Sequence, residues 1–461
     1  MQNGHEKSGT ALLAPEARLS PSSCVEPLPA GLAAASASSE EASAPAARIY
    51  RHPVAIAISF GLAALALLLF GIKTPTNMFY DEGYFVPEAK VFILGPNPNS
   101  HAQQEKPPLG KLLLSIGVRA AGDNALGWRV AAAVCGALAL VAIFLWTYLL
   151  LQDTRLACLA AGLTVFNNFW FVMSRIGMMD AFLMVFLTWS LAAFTASLVL
   201  DVGIRQRRFL FCSSGVLIGL AGACKWNAID TVAVFFLVTF ALWWIARHPM
   251  EAADSSLSVC ADRVQQIGIP ILLLGLIVAP IASYSLTYWP LCQAIHRPFN
   301  IGELVAMHKS IWHFNSSTTW NRAIISPWYS WPFNLGPQRA LSYLVGNPVV
   351  AWGGLAAMAV CLRRFWKEVS LQEGLLFLLF AANYLQWAVT PEKGLFYYYY
   401  YPSVMILGVT IAVSLRSLPT RVFGVRISLL LLMAAGTYFL RCYPQMMHSE
   451  APWDCAFGCW P

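Results

Sequence analysis

The sequence predicts an all-α polytopic membrane protein with about eleven transmembrane helices, and three observations carry that prediction. Only 11% of the 461 residues are charged and 58% are hydrophobic, whereas a soluble domain carries about 25% charged residues. Apolar runs of about 17–25 residues recur between residues 53 and 441, each long enough to cross roughly 30 Å of hydrocarbon as a helix. The basic residues gather in short loops between alternate runs, as they do in cytoplasmic loops. The formal charge of +7 is therefore a matter of topology, and no nucleic-acid partner is expected.

Residues 1–50 are rich in Ala, Ser, Pro and Glu and poor in aromatics, and read as a disordered cytoplasmic tail. The first apolar run starts only after Arg51, too deep for a cleaved secretory signal. A membrane domain follows over 51–441. Its runs lie near 53–73, 127–151, 156–173, 178–200, 209–224, 228–246, 267–290, 345–362, 373–390, 397–415 and 425–441. With the N-terminus in the cytoplasm, the inside loops hold Arg155, then Arg205, Arg207 and Arg208, then Arg247 and Arg263. Further along they hold Arg363, Arg364 and Lys367, and finally Arg416, Arg421 and Arg426. Two large segments, 74–126 and 291–344, and a tail at 442–461 then fall outside. Most of the eleven cysteines sit in apolar runs, where a buried inert thiol is the ordinary state. Spacing alone leaves a Cys455–Cys459 disulfide in the tail open. Asn315-Ser316-Ser317 matches a glycosylation acceptor, which has meaning only in a eukaryotic lumen.

The stretch from Met78 to Lys111 follows the first run and carries an adjacent acid pair, Asp81 and Glu82. Other charges converge on the same face. Arg129 and Arg175 lie at the outer ends of the second and third runs, Asp180 starts the fourth, and Lys225 sits in the turn between the fifth and sixth. Lys106, Lys111, His308 and His313 lie in the outer segments. A single interfacial Arg or Lys needs no function, because it can snorkel to headgroups. Four basic residues beside spans on the side where they should be depleted, Lys111, Arg129, Arg175 and Lys225, need another reason, and an anionic ligand such as a phosphate supplies one. Arg175 and Asp180 would point about 140° apart on a continuous helix, but Gly177 marks a tight turn across which they could pair.

Neighbours on a helix diverge by about 100°, so Asp81 and Glu82 cannot both face one centre. This argues against a facing pair of glycosidase carboxylates and suits a single base with a helper. No HExxH, P-loop or GxGxxG pattern is present, and neither a metal nor a cofactor is expected. The run Tyr397–Tyr401 reads either as an interfacial belt or as a stacking surface for a sugar or prenyl chain.

TyrAspGlu (80–82), GlyTyrPheValProGluAla (83–89) and ProProLeuGlyLys (107–111) together resemble the first outer loop of the protein O-mannosyltransferases. These are lipid-carrier-dependent enzymes of the GT-C class. The resemblance continues in family order through GlyTrpArg (127–129), SerArgIleGlyMetMetAsp (174–180) and CysLysTrpAsn (224–227). It extends to SerProTrpTyrSerTrpPro (326–332) and GlyAsnProVal (346–349). It implies a GT-C fold and an inverting, metal-independent transfer of mannose. The donor would be a polyprenyl- or dolichyl-phosphate mannose, and the acceptor a Ser or Thr hydroxyl of a translocated protein.

On this reading Asp81 is the catalytic base, with Glu82 beside it. Arg175 and Lys225 bind the donor phosphate. Arg129, Asp180, Lys111, His308, His313 and Trp328 complete the substrate site. The chain departs from the family in having Lys106 where His is common, in lacking a His-Tyr motif at 396–403, and in leaving no room at 291–344 for the lumenal repeat domain. It resembles the compact bacterial form, set in a bacterial inner membrane with its active site facing the periplasm. A lipid or glycan acceptor is the alternative, and dimerisation stays open. A non-catalytic transporter fits less well: it would place charges near the midplane of repeated, broken helices, whereas here they sit at span ends.

Overall fold

The computed structural model describes residues 52–96, 106–248, 255–318, 325–333, 344, 346–390, 395–416, 421–422 and 425–447. The tail cysteines Cys455 and Cys459 and the expected disordered tail at 1–50 lie outside the described residues. Every apolar run is helical. We number the helices α1 Pro53–Leu69, α2 Glu82–Leu94, α3 Leu109–Ala121, α4 Ala125–Leu151, α5 Thr154–Val165, α6 Asn168–Met173, α7 Met179–Val199 and α8 Ile204–Gly222. Then come α9 Ile229–Ile245, α10 Ser255–Ile267, α11 Ile269–Ala294, α12 Ile301–Ser317, α13 Pro348–Phe365, α14 Leu371–Val389, α15 Tyr401–Ser414 and α16 Ile427–Met447. A two-residue antiparallel pairing, Arg421–Val422 with Val425–Arg426, precedes α16.

Among the described residues, five helices begin at a side-chain cap. Asn124, Asp153, Asn167, Asn300 and Asn347 each accept a bond from a first-turn amide of α4, α5, α6, α12 and α13. The cap at Asn167 has a consequence for the third run. It starts a new helix inside the run, so 156–173 is two helices and not one. The seventh run is also irregular: α11 opens after Gly268 at φ +85° and widens into a π-helical turn at Leu274–Val278.

Six helical stretches are long and apolar enough to cross a membrane by length and composition: Ala125–Leu151, Met179–Val199, Trp226–Ile245, Ile269–Ala294, Pro348–Phe365 and Ile427–Met447. Pro53–Leu69 and Thr154–Val165 are apolar but shorter. The two segments expected as outer loops are themselves helical in part, 74–126 holding α2 and α3 and 291–344 holding α12.

Helix α7 is buried along most of its length and packs between α4 and α8. Small residues permit these close approaches, as they do between membrane helices generally: Gly136 of α4 faces Ser174, and Gly219 of α8 faces Ser283 of α11. Polar ends sort by direction. The C-terminal end of α7 receives Arg207, which donates to the carbonyls of Ser197, Leu200 and Val202, and Arg263, which donates to Leu198 O. The N-terminal end of α7 carries Asp180, and the other charged residues of interest gather there.

Candidate active site

The site is built on the start of α2. Asp81 is the residue immediately before the helix, and Tyr80 holds a left-handed φ of +55°, a conformation an L-residue keeps only when its surroundings enforce it. Glu82 provides that enforcement. It is fully buried, and its carboxylate accepts from Arg129 Nε and Nη2, both at 2.8 Å, from Phe79 N at 2.8 Å and from Gly177 N at 2.9 Å. Arg129 in turn donates to the carbonyls of Ile72, Pro75 and Asn77. The two acids therefore divide as their adjacency requires: Glu82 points into the fold and locks the loop, and Asp81 points the other way.

The half-buried Asp81 accepts a 3.3 Å bond at Oδ2 from the Tyr398 hydroxyl. Burial, and next the Asp180 charge, push its carboxyl up to about 6, against the opposing pull of Lys225, the Tyr398 bond and Lys106. Lys225 is buried and pairs with Asp180 at 2.9 Å. Its ammonium lies 5.0 Å from the Tyr398 ring centroid and 4.2 Å from that of Tyr399. The Arg175–Asp180 pair that the turn allowed does not form, because Asp180 takes Lys225 as its partner.

Tyr397–Tyr401 is not an interfacial belt. All five side chains are buried, at 1–5% exposure, against Phe169, Trp331, Trp387 and one another. The chain arrives as a 3-10 turn at Tyr397–Tyr400 and continues into α15, which sends successive rings around the turn and not along one face.

Lys225 also lines a cavity of about 740 Å³ between α8, α9, α11, α12 and α14. Its walls are apolar, with Ile218, Val232, Phe236, Leu276 and Ile281 among them. Its polar lining includes Lys106, Lys225, Trp226, Tyr284, His308 and Asn315. These polar groups are tied together. Trp226 Nε1 donates to Tyr284 Oη at 3.0 Å, and Tyr284 Oη lies 2.7 Å from His308 Nε2. His308 Nδ1 lies 2.6 Å from Leu304 O. A carbonyl only accepts, so Nδ1 carries a proton there; in the neutral ring Nε2 is then the acceptor from Tyr284.

The structure thus brings together Asp81, Asp180 and Lys225, sets His308 on the cavity that Lys225 lines, and places the other sequence-predicted residues elsewhere. Arg175 is buried with Nη1 donating to the carbonyls of Leu68, at 2.5 Å, and Phe70, at 2.7 Å, so it ties α1 to the start of α7 and does not face the cavity. Lys111 has no exposed surface and pairs with Glu88 at 2.9 Å, joining α3 to α2. Arg129 is committed to Glu82 and to the loop carbonyls. His313 is exposed on α12, outside the cavity lining. Trp328 packs edge-on against Tyr384 and accepts its hydroxyl at the backbone. Asn315 is not a displayed glycosylation acceptor: it is half-buried in α12 and its Oδ1 accepts from Lys106 Nζ at 3.0 Å. Sequence reasoning missed Tyr284, and it saw Tyr398 only as one of a tyrosine run and Asn315 only as a glycosylation acceptor, because their contacts cross the fold. Lys106 did carry a signal, as the odd residue in its motif. Among the described residues no group of three or more His, Cys, Asp or Glu side chains gathers as metal ligands would.

Known proteins share the sequence pattern and the fold. Residues 98–296 match the family model described as dolichyl-phosphate-mannose-protein mannosyltransferase. The polyprenol-phosphate-mannose–protein mannosyltransferase of Mycolicibacterium smegmatis is 25% identical over a region covering 78% of this chain and 80% of that protein. Its counterpart in Corynebacterium glutamicum is 23% identical, covering 73% and 77%. Among solved structures, a chain of the S. cerevisiae protein O-mannosyltransferase Pmt1-Pmt2 complex bound to the sugar donor superposes with a TM-score of 0.70 at 14% identity, covering 87% of this chain and 90% of that one. ArnT from Cupriavidus metallidurans bound to undecaprenyl phosphate gives a TM-score of 0.56 at 16% identity, covering 83% and 63%. The fold is that of the GT-C membrane glycosyltransferases.

Proposed function

Because this chain is a relative of the dolichyl-phosphate-mannose-protein mannosyltransferases, we propose that it is a multi-pass membrane enzyme that moves mannose from a polyprenyl- or dolichyl-phosphate mannose to a Ser or Thr hydroxyl of a protein. One observation carries the reading beyond kinship. An apolar cavity of about 740 Å³ has at its polar end a lysine, Lys225, that belongs also to the charged cluster around Asp81. A long prenyl chain suits the walls, and a phosphate suits the polar end.

The chemistry follows from the groups at that junction. Asp81 takes the proton of the acceptor hydroxyl as its oxygen attacks the anomeric carbon. The bond from that carbon to the phosphate oxygen breaks, and its electron pair leaves on the polyprenyl phosphate, which needs no general acid. Attack opposite the leaving group inverts the anomeric configuration. Tyr398 donates to Asp81 Oδ2, fixing the carboxylate and leaving Oδ1 for the acceptor. Lys225 compensates the phosphate charge, the role that Arg175 was expected to share. Glu82 and Arg129 are positioning residues that hold the Asp81 loop.

The helical domain of 51–441 then sits in a bacterial inner membrane, N-terminus inside, with the Asp81 end facing the periplasm. The arginines at the opposite end of α7 agree with the positive-inside rule. The deciding experiment offers the purified protein radiolabelled polyprenyl-phosphate mannose with protein and lipid acceptors in parallel. Label on the protein is the expected result. Label on the lipid alone would move the assignment to a lipid acceptor, and label on neither would sink the transferase reading.

A further inference from the structure

Four buried cations at this end of the molecule are already committed. Arg129 pairs with Glu82, Lys111 with Glu88 and Lys225 with Asp180, and Arg175 is tied to backbone carbonyls. Lys106 differs. Among the described residues it forms no direct ion pair, and its ammonium donates to a neutral partner, Asn315 Oδ1, at 3.0 Å. It is half-buried and lines the cavity. Asp81 offsets this charge without a direct ion pair, so an ammonium partly removed from water still gains when a further counter-ion arrives with the ligand.

Its placement is built rather than incidental. The Pro107-Pro108 pair confines the backbone at Lys106 to extended conformations. Leu109 N then donates to Ala223 O at 2.9 Å, which lays this segment beside the chain leading to Lys225. From the opposite side, Asn315 Nδ2 donates to Ile311 O at 2.8 Å, and this orients the amide so that its oxygen faces Lys106. The two segments are 209 residues apart in the chain.

We infer that Lys106 is the second cation on the donor's phosphate, opposite Lys225, and that Asn315 is the positioning residue that presents it. The inference rests on the proposed polyprenyl-phosphate donor. Lys225 enters the site half-neutralised by Asp180, so one further positive charge matches a phosphate diester better than Lys225 alone. Neutral Asn315 steers the ammonium without consuming its charge, where an aspartate at the same place would quench it.

The test is binding of undecaprenyl phosphate to the purified, detergent-solubilised full chain, with the KM for polyprenyl-phosphate mannose measured alongside. Lys106→Gln should weaken binding about 10-fold or more, the scale of a lost charge-assisted hydrogen bond, and raise the donor KM while leaving the acceptor KM in place. Lys106→Arg should retain most of the affinity. Lys309→Ala, which removes an exposed charge from α12, should change neither value. Asn315→Asp separates positioning from scaffolding. A merely structural contact would be strengthened by the new carboxylate, whereas the proposal expects weaker binding than in Asn315→Ala. Wild-type affinity in a folded Lys106→Gln protein, or tighter binding in Asn315→Asp, overturns the inference while the donor reading stands. Failure of the wild type itself to bind undecaprenyl phosphate overturns both.

Discussion

Asp81 stands at the mouth of α2 with its carboxyl pushed up to about 6, and that single value makes testable demands. As a base it must be ionised, so kcat/KM should climb with pH through about 6 and level off above it; a profile flat from pH 5 to 7 would remove Asp81 from the proton transfer. Tyr398→Phe deletes the bond that lowers the carboxyl, so the acid limb should move to higher pH. Asp180→Asn removes a charge that raises it and frees Lys225, so the limb of the remaining activity should move to lower pH. Opposite shifts in the two variants are the signature; a common shift would mean that the limb belongs to another group. Asp81→Asn should abolish transfer, by at least about 100-fold, while undecaprenyl phosphate still binds. It should not lower the melting temperature at pH 7.5. The folded carboxyl titrates above its unfolded value of about 3.9, so stability falls as pH rises between the two, and the neutral amide escapes that loss. The split between Asp81 and Glu82 was legible in the sequence, since adjacent residues cannot face one centre. The fate of Arg175 was not: its carbonyl partners lie in the first span, over 100 residues earlier, and no local pattern announces them.

At the level of elements, α2 is pinned by the buried Glu82–Arg129 pair to α4 and, through Gly177 N, to the turn before α7. Removing one partner leaves the other charge buried, so Arg129→Ala should cost about 3–5 kcal/mol. It should lower the melting temperature and reduce activity through loss of folded protein. An unchanged melting temperature would show that the loop holds without this pair. Gly177→Ala tests the same joint, because a Cβ there would lie 2.7 Å from Trp128 O. The sequence located all the apolar runs but misjudged their regularity. Length and hydropathy see an uninterrupted stretch at 156–173, while the break at Asn167 is made by one side chain that caps inward. The tyrosine run stayed open between two readings for a related reason. Composition at a span end suggests a belt, and only the packing of Phe169, Trp331 and Trp387 against the rings buries them.

Over the whole molecule, the apolar cavity and the charged cluster meet at the end where the N-terminus of α7 lies, the arrangement required of an enzyme whose substrate keeps its tail in the bilayer and its head in water. Because lysines can supply the positive charge that the phosphate needs, transfer should survive EDTA, and a strict requirement for a divalent ion would sink the scheme. The fold class and the ordered motifs were legible because they depend on hydropathy and spacing. The cavity was not, because α8, α9, α11, α12 and α14 assemble it from residues as far apart in the chain as Ile218 and Trp387.

The wide turn at Leu274–Val278 bears on that assembly. Leu276 and Ile277 within the turn and Pro280, Ile281 and Tyr284 beyond it line the cavity, so the turn sets the phase at which the second half of α11 meets the groove. Deleting a single residue within 274–278 would rotate everything after it by about 100° and draw it in by about 1.5 Å. Tyr284 would swing off His308 and Trp226, although not one chemical group at the site had been altered. The length of this helix is thus as much a determinant of the groove as any side chain in it, and a one-residue deletion there should be worse tolerated than most substitutions of the residues it displaces.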